Sequence, residues 1–193
     1  MNMSVLSRAD LVSELLSPLA YPSASGTSNI CSPTISVASD DPKASLLARR
    51  LDVARELLLR DLREQMRSAP IMSSPQALRD WLRLHCAGLE HEVFLVIYLD
   101  THHRLIEAEE LFRGTLTQTS VYPREVVKGA LARNAAALAI AHNHPSGEAE
   151  PSRADELLTQ NLKSALSLVD VRVIDHFIVA GDQILSFAER GLV

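Results

Sequence analysis

Residues 136–155 hold the groups in this chain best placed to do chemistry: His142, His144, Ser152 and Asp155. Ala136-Ala-Leu-Ala-Ile-Ala is a small apolar run that fits a buried strand, and it ends in His142-Asn143-His144. On a strand, residues i and i+2 share a face about 7 Å apart, which suits two imidazoles converging on one metal ion. Asn143 then points away from both and is expected to be structural. Pro145 and Gly147 break the strand and force a turn. Ser152 follows Pro151 and can N-cap a new helix, placing Asp155 in its first turn. Two neutral imidazoles and one carboxylate make three protein ligands, and zinc so held keeps a fourth position for water. Ser152-x-x-Asp155 is also a capping-box pattern, in which Asp155 would serve only the helix start. His-x-His by itself is weak. Its conjunction with a strand end, a turn and Ser-x-x-Asp is much rarer and favours a metal site. A Ser-His-Asp triad would use the same residue types, but no nucleophile elbow is present and a triad has no place for the His-x-His pair.

The elements that must position these groups are legible from pattern. Residues 92–99, Glu92-Val-Phe-Leu-Val-Ile-Tyr-Leu, are apolar on both alternations, as in a central strand buried on both faces. Asp100-Thr-His102-His103 reads as a turn and residues 104–111 as a second strand. The two adjacent histidines would point oppositely and cannot easily share a metal. Ser74-Pro75 starts a helix that Gly88 ends, with Trp81 packing it onto the sheet. His85 and Cys86 on that helix face different ways and are not expected to bind a metal. Ser120-Val-Tyr-Pro123 starts another helix, with Asn134 as its left-handed stop. From Ser152 a helix runs to about Leu168, followed by a strand at 171–179, a turn at Gly181-Asp182 and a hairpin return at 183–187. The expected fold class is α+β: a mixed β-sheet flanked by helices, with the ligand set at one strand end.

The N-terminal third differs. Residues 1–16 can form a short helix carrying Leu11, Val12, Leu15 and Leu16. Residues 17–42 carry seven serines and four prolines with no period of 2 or 3.6, so residues 1–42 read as a tail and flexible linker. Residues 43–70 read as an amphipathic helix, with Leu47, Leu51, Ala54, Leu58 and Leu62 at helical spacing and Glu56/Arg60 as an i,i+4 pair. Its seven basic and four acidic residues fit a solvated face better than a nucleic-acid-binding one. Residues 71–193 form the main domain. Net charge −5 argues against a phosphate-coating surface. Two cysteines cannot make a disulfide framework and favour a reducing, cytoplasmic setting. No signal peptide or membrane-spanning run is visible.

His142-x-His144-Pro145-x6-Ser152-x2-Asp155 resembles the JAMM motif of the JAB/MPN+ metalloproteases. Tyr122-Pro-Arg-Glu125, His142-Asn-His-Pro-Ser-Gly147 and Asp175-His176-Phe-Ile-Val179 resemble the RadC branch of that family. The resemblance covers about residues 71–193, and more loosely 43–70, and implies the cytidine-deaminase-like, JAB1/MPN type of metalloprotease domain. It implies one Zn2+ per chain on His142, His144 and Asp155, and a peptide or protein substrate cut at a peptide or isopeptide bond. The family's proton-shuttling glutamate comes just before its first long strand, which matches Glu92, with Glu90 as the rival and Glu107, Glu109 and Glu110 less suited. Ser152 is implied as the donor to the oxyanion. Asp175 and His176 repeat family text without an evident mechanism, as support behind the ligands or as packing. The alternative is a non-catalytic accessory or scaffold module associated with DNA repair or replication. Longer RadC-like proteins carry a helix-hairpin-helix module upstream. Gly26 is the only glycine before Gly88 here, so that module and direct DNA contact are not expected.

Overall fold

The computed structural model describes residues 3–17, 42–114 and 121–193. The Ser/Pro-rich tract read as a linker falls almost wholly outside the described residues. The chain divides into two compact units, Met1–Arg60 and Asp61–Val193.

In the first unit, α1 (Arg8–Leu16) starts at Ser7, whose hydroxyl and amide form a capping box with Asp10. α2 (Pro42–Ser68) begins in this unit and ends in the second. Glu14 pairs with Arg49, and Arg60 donates to the Leu6 carbonyl at 2.8 Å while pairing with Glu56. The stripe expected from periodicity is not the buried one. Leu47, Leu51 and Leu58 are 61%, 61% and 54% exposed, and Val53 and Leu59 are buried instead.

The second unit is built on a five-stranded sheet in the order β2-β1-β3-β4-β5. β1 (Val93–Leu99) pairs antiparallel with both β2 (Leu105–Arg113) and β3 (Ala137–Asn143). β3 runs parallel to β4 (Arg172–Ala180), and β5 (Gln183–Ser186) closes a hairpin on β4. β1 and β3 are buried at every position, which suits sequences apolar on both alternations, in β3 as far as His142 and Asn143. One parallel pair among antiparallel ones needs a crossover, and α5 (Arg153–Ser167) supplies it.

Alternation sorts the core into two faces. Phe94, Val96, Tyr98, Leu138 and Ile140 pack with Val126 and Ala130 of α4 (Pro123–Ala132) and Leu162 and Leu166 of α5. On the other face, α3 (Pro75–Cys86) sets Arg79 over the Phe177 ring and bonds Arg83 to the Asp182 carbonyl. Trp81 is fully buried in α3 and stacks on His85 at 4.8 Å. Pro75 takes the first helical position as expected, but the Ser74 hydroxyl makes no capping bond. Asn134 ends α4 at φ 51, and Gly88 follows α3 at φ 75. No helix among the described residues is long and apolar enough to cross a membrane.

Candidate metal centre

The centre forms where β3 stops. Beyond Asn143 the chain keeps its bond to β4, His144 N–H to the Val179 carbonyl at 2.8 Å, and then turns at Gly147 (φ 83), whose amide bonds the His144 carbonyl. A positive φ suits glycine because it has no Cβ. The turn carries the chain to Pro151 and Ser152, where α5 begins. Ser152 is extended, accepts from Asp155 N–H at 3.2 Å, and donates its hydroxyl to Asp155 Oδ2 at 2.6 Å. Its amide adds a bond to Oδ2 at 2.8 Å.

The capping box is therefore real, and it leaves one carboxylate oxygen of Asp155 free to serve as a metal donor. It occupies Asp155 Oδ2, while Oδ1 lies 3.3 Å from His142 Nε2. His142 Nε2 is 2.9 Å from His144 Nε2, and His144 Nε2 is 3.9 Å from Asp155 Oδ2. All three donors lie within 4.8 Å of one another, the one such group among the described residues. Two donors about 2.0 Å from one tetrahedral ion stand about 3.3 Å apart; the His142–His144 and His142–Asp155 Oδ1 spacings of 2.9 and 3.3 Å lie near that value, and His144 meets Asp155 through Oδ2. His142 is buried, while His144 and Asp155 each keep 16% of their side chains exposed, so one side of the group is open.

The donor chemistry fits a metal as well. The His144 Nδ1 is 2.7 Å from the Glu148 carbonyl, which can only accept, so Nδ1 carries the hydrogen and Nε2 presents a lone pair. Burial pushes the Asp155 carboxyl up, but the neighbouring His142 Nε2, a site for positive charge, and the bonds from the Ser152 hydroxyl and amide outweigh it. They hold it well below the usual carboxylate range.

Glu92 precedes β1, half-buried, and its carbonyl accepts from Gly114 N–H at 2.9 Å. Alternation puts it on the face of Phe94, whose ring meets that of His176 at 6.1 Å. The backbone ladder between β1 and β3 ends at Phe94↔His142. Beyond it the Asn143 side chain takes over: Oδ1 accepts from Val93 N–H at 2.7 Å and Nδ2 donates to the His91 carbonyl at 3.0 Å. Asn143 thus brackets the peptides on either side of Glu92. Glu90 is exposed in the bend before it, and Glu107 and Glu109 pair with Arg133. In the β1–β2 turn His102 is exposed, while His103 is half-buried, with its Nε2 3.1 Å from Arg172 Nη2.

Asp175 and His176 separate into two roles because neighbours on a strand face opposite ways. Asp175 accepts from the Ser186 hydroxyl at 2.6 Å and the Ala188 amide at 2.9 Å, tying β4 to the hairpin end. Burial raises its carboxyl in spite of those bonds. His176 is fully buried on the ligand face, with Nε2 2.8 Å from His142 Nδ1 and Nδ1 2.7 Å from Thr159 Oγ1. Burial, above all, pushes its pKa well down. Thr159 carried one unused signal in the sequence: it lies four residues after Asp155, on the same helix face.

An α+β sheet with a His2Asp donor group at the end of an inner strand defines a JAB/MPN-type domain. Residues 72–192 match the RadC-like JAB domain model, and the chain belongs to that family. A UPF0758 protein of Aromatoleum aromaticum is 68% identical over 145 residues, 75% of this chain and 64% of that protein. One from Leptothrix cholodnii is 64% identical over 143 residues, 74% of this chain and 64% of that protein. Another, from Methylibium petroleiphilum, is 62% identical over 151 residues, 78% of this chain and 66% of that protein. The chain thus spans a little under two thirds of the length of these curated relatives.

Proposed function

We propose that this chain is a zinc-dependent hydrolase of the JAMM type, cleaving a peptide or isopeptide bond. The observation that carries this is the convergence of His142 Nε2, His144 Nε2 and Asp155 within 4.8 Å, open on one side. Three protein donors with an open position is the catalytic rather than the structural form of a zinc site. When bound there, zinc supplies a Lewis acid and a water acidified to a pKa of about 7. Glu92, on the same sheet face, takes a proton from the attacking water and returns it to the leaving nitrogen. Ser152 is the oxyanion donor, a role usually worth about 3–4 kcal/mol. Its hydroxyl proton rests on Asp155 Oδ2 and must change partner to serve. A hollow of about 230 Å³ beside His144, lined also by Gly88, Leu89 and Pro145, has room for part of an extended peptide.

The tied Ser152 proton is also what favours the second reading, an accessory module that binds metal without turnover. Glu92→Gln separates the two, because Glu92 is assigned to proton transfer and not to the metal. The hydrolase predicts about one zinc per chain in both proteins, peptide-library cleavage by the parent, and a loss of at least 10²- to 10⁴-fold in the variant. Zinc loss in Glu92→Gln would make Glu92 a ligand, and zinc with no cleavage by the parent would leave the accessory module standing.

A further inference from the structure

His176 and Thr159 are buried polar residues outside the donor group, 0% exposed and joined to it by hydrogen bonds. Taking His142, His144 and Asp155 as metal ligands, we propose that Thr159 and His176 are positioning residues that fix the tautomer of His142. They do so by a one-way row of hydrogen bonds that leaves its Nε2 bare for the metal.

The direction of that row follows from its fixed end. The Asp155 backbone carbonyl can only accept, and Thr159 Oγ1 stands 2.7 Å from it with a single proton to give. With that proton committed, Oγ1 meets His176 Nδ1, 2.7 Å away, as an acceptor, so Nδ1 must carry the hydrogen. A neutral imidazole has one N–H, so His176 Nε2 is an acceptor. It lies 2.8 Å from His142 Nδ1, which must therefore be the donor. The hydrogen of His142 is then on Nδ1, and its Nε2 faces His144 Nε2 at 2.9 Å and Asp155 Oδ1 at 3.3 Å as a lone pair.

Without the row, His142 has a competing choice. Asp155 Oδ1 is an anionic acceptor within reach of Nε2, and a hydrogen placed there would block the metal. The row offers Nδ1–H a good buried acceptor and so opposes that tautomer. It starts on the backbone of Asp155 and ends on His142, so the first turn of α5 sets the chemistry of a ligand on β3. The Glu148 carbonyl performs the same service for His144 with one bond. Partners of this kind behind a metal ligand commonly contribute 10- to 100-fold to affinity.

The test uses the full chain. Long-range ¹H–¹⁵N spectra of the histidine rings, recorded without metal at pH 7.5, report the tautomer of His142 directly. The parent is expected to show Nδ1–H. Thr159→Val keeps the shape, removes the acceptor, and should move His142 toward Nε2–H; Thr159→Ser should restore the parent pattern. Zinc affinity, measured by chelator competition, should fall 10- to 100-fold in Thr159→Val and in His176→Phe. It should fall little further in the double variant, because both act through one row. If His176→Phe does not fold, Thr159→Val and Thr159→Ser decide alone. Nε2–H on His142 in the parent, or a tautomer and affinity unmoved by Thr159→Val, would overturn the proposal. A parent that binds no zinc would sink the metal assignment, and the tautomer of His142 in Thr159→Val would still decide the row by itself.

Discussion

Asn143 stands between two of the candidate metal donors, His142 and His144, and is not itself one of the group. Its amide ties Val93 N–H and the His91 carbonyl, on either side of the residue assigned to proton transfer. The side chain does this where the backbone ladder between β1 and β3 has ended, at Phe94↔His142. Asn143→Ala leaves a buried N–H and a carbonyl without partners, which costs about 1–3 kcal/mol. For a unit of this size, thermal unfolding should drop by several degrees. Zinc affinity should change little, since no donor atom is touched. An unchanged melting temperature would show that Asn143 holds nothing. A large loss of zinc would show that the bracket holds the ligands and not the residue between its arms.

At the level of elements, β1, β2 and α4 meet at Tyr98. Its hydroxyl bonds Glu109 at 3.1 Å, and Arg133 lies over its ring at 4.4 Å while pairing with Glu107 and Glu109. Gly129 lets α4 come close: a Cβ there would stand 2.3 Å from the Tyr98 hydroxyl. Gly129→Ala therefore forces helix and strand apart, in spite of alanine's better helix propensity. It should destabilise by about 1–3 kcal/mol in denaturant unfolding. Tyr98→Phe in the same chain should recover part of that loss, and strictly additive effects would show that the two residues do not collide. The same tyrosine gives a pH dependence. Burial, with the Glu109 charge and hydrogen bond behind it, pushes the Tyr98 pKa well above its ordinary value of 10. Above pH 10 the unfolded chain loses this proton while the folded chain keeps it, so stability falls as pH rises. Urea unfolding between pH 9 and 11 should show that fall in the parent and a shallower one in Tyr98→Phe.

For the whole molecule, the proposed metal binding would be linked to folding, because the candidate donors come from β3 and α5 and meet only when the crossover is formed. A ligand that binds the folded chain alone stabilises it by about 2.7 kcal/mol at a hundredfold excess over Kd. Added zinc should raise the melting temperature, a chelator should reverse the rise, and His144→Ala should abolish it. A chain begun near residue 43 should keep the effect, since every donor lies in Asp61–Val193. Loss of the shift in that fragment would give the first 42 residues a part in the metal-binding fold.

The donor set and the strands that carry it were legible in the sequence because they are local. Apolar runs buried on both faces, His142 and His144 two residues apart, and Ser152 three before Asp155 obey the periods of strand and helix whatever surrounds them. Glu92 could be placed only by likeness, since which acid joins the donors depends on strand order. α2 shows the limit of pattern: Leu47, Leu51 and Leu58 repeat at helical spacing, yet the face that is buried is another. Asn143 was legible as structural, but its partners, like those of Thr159 and His176, could not be assigned for the same reason. Their partners lie 50, 17 and 34 residues away, across β1, β4 and β3, and a hydrogen bond over such spans has no signature along the chain. Only the packing of β1 and β4 against β3, with α5 laid over the sheet, brings them within 3 Å. Proton direction in that row then follows from which atoms can only accept.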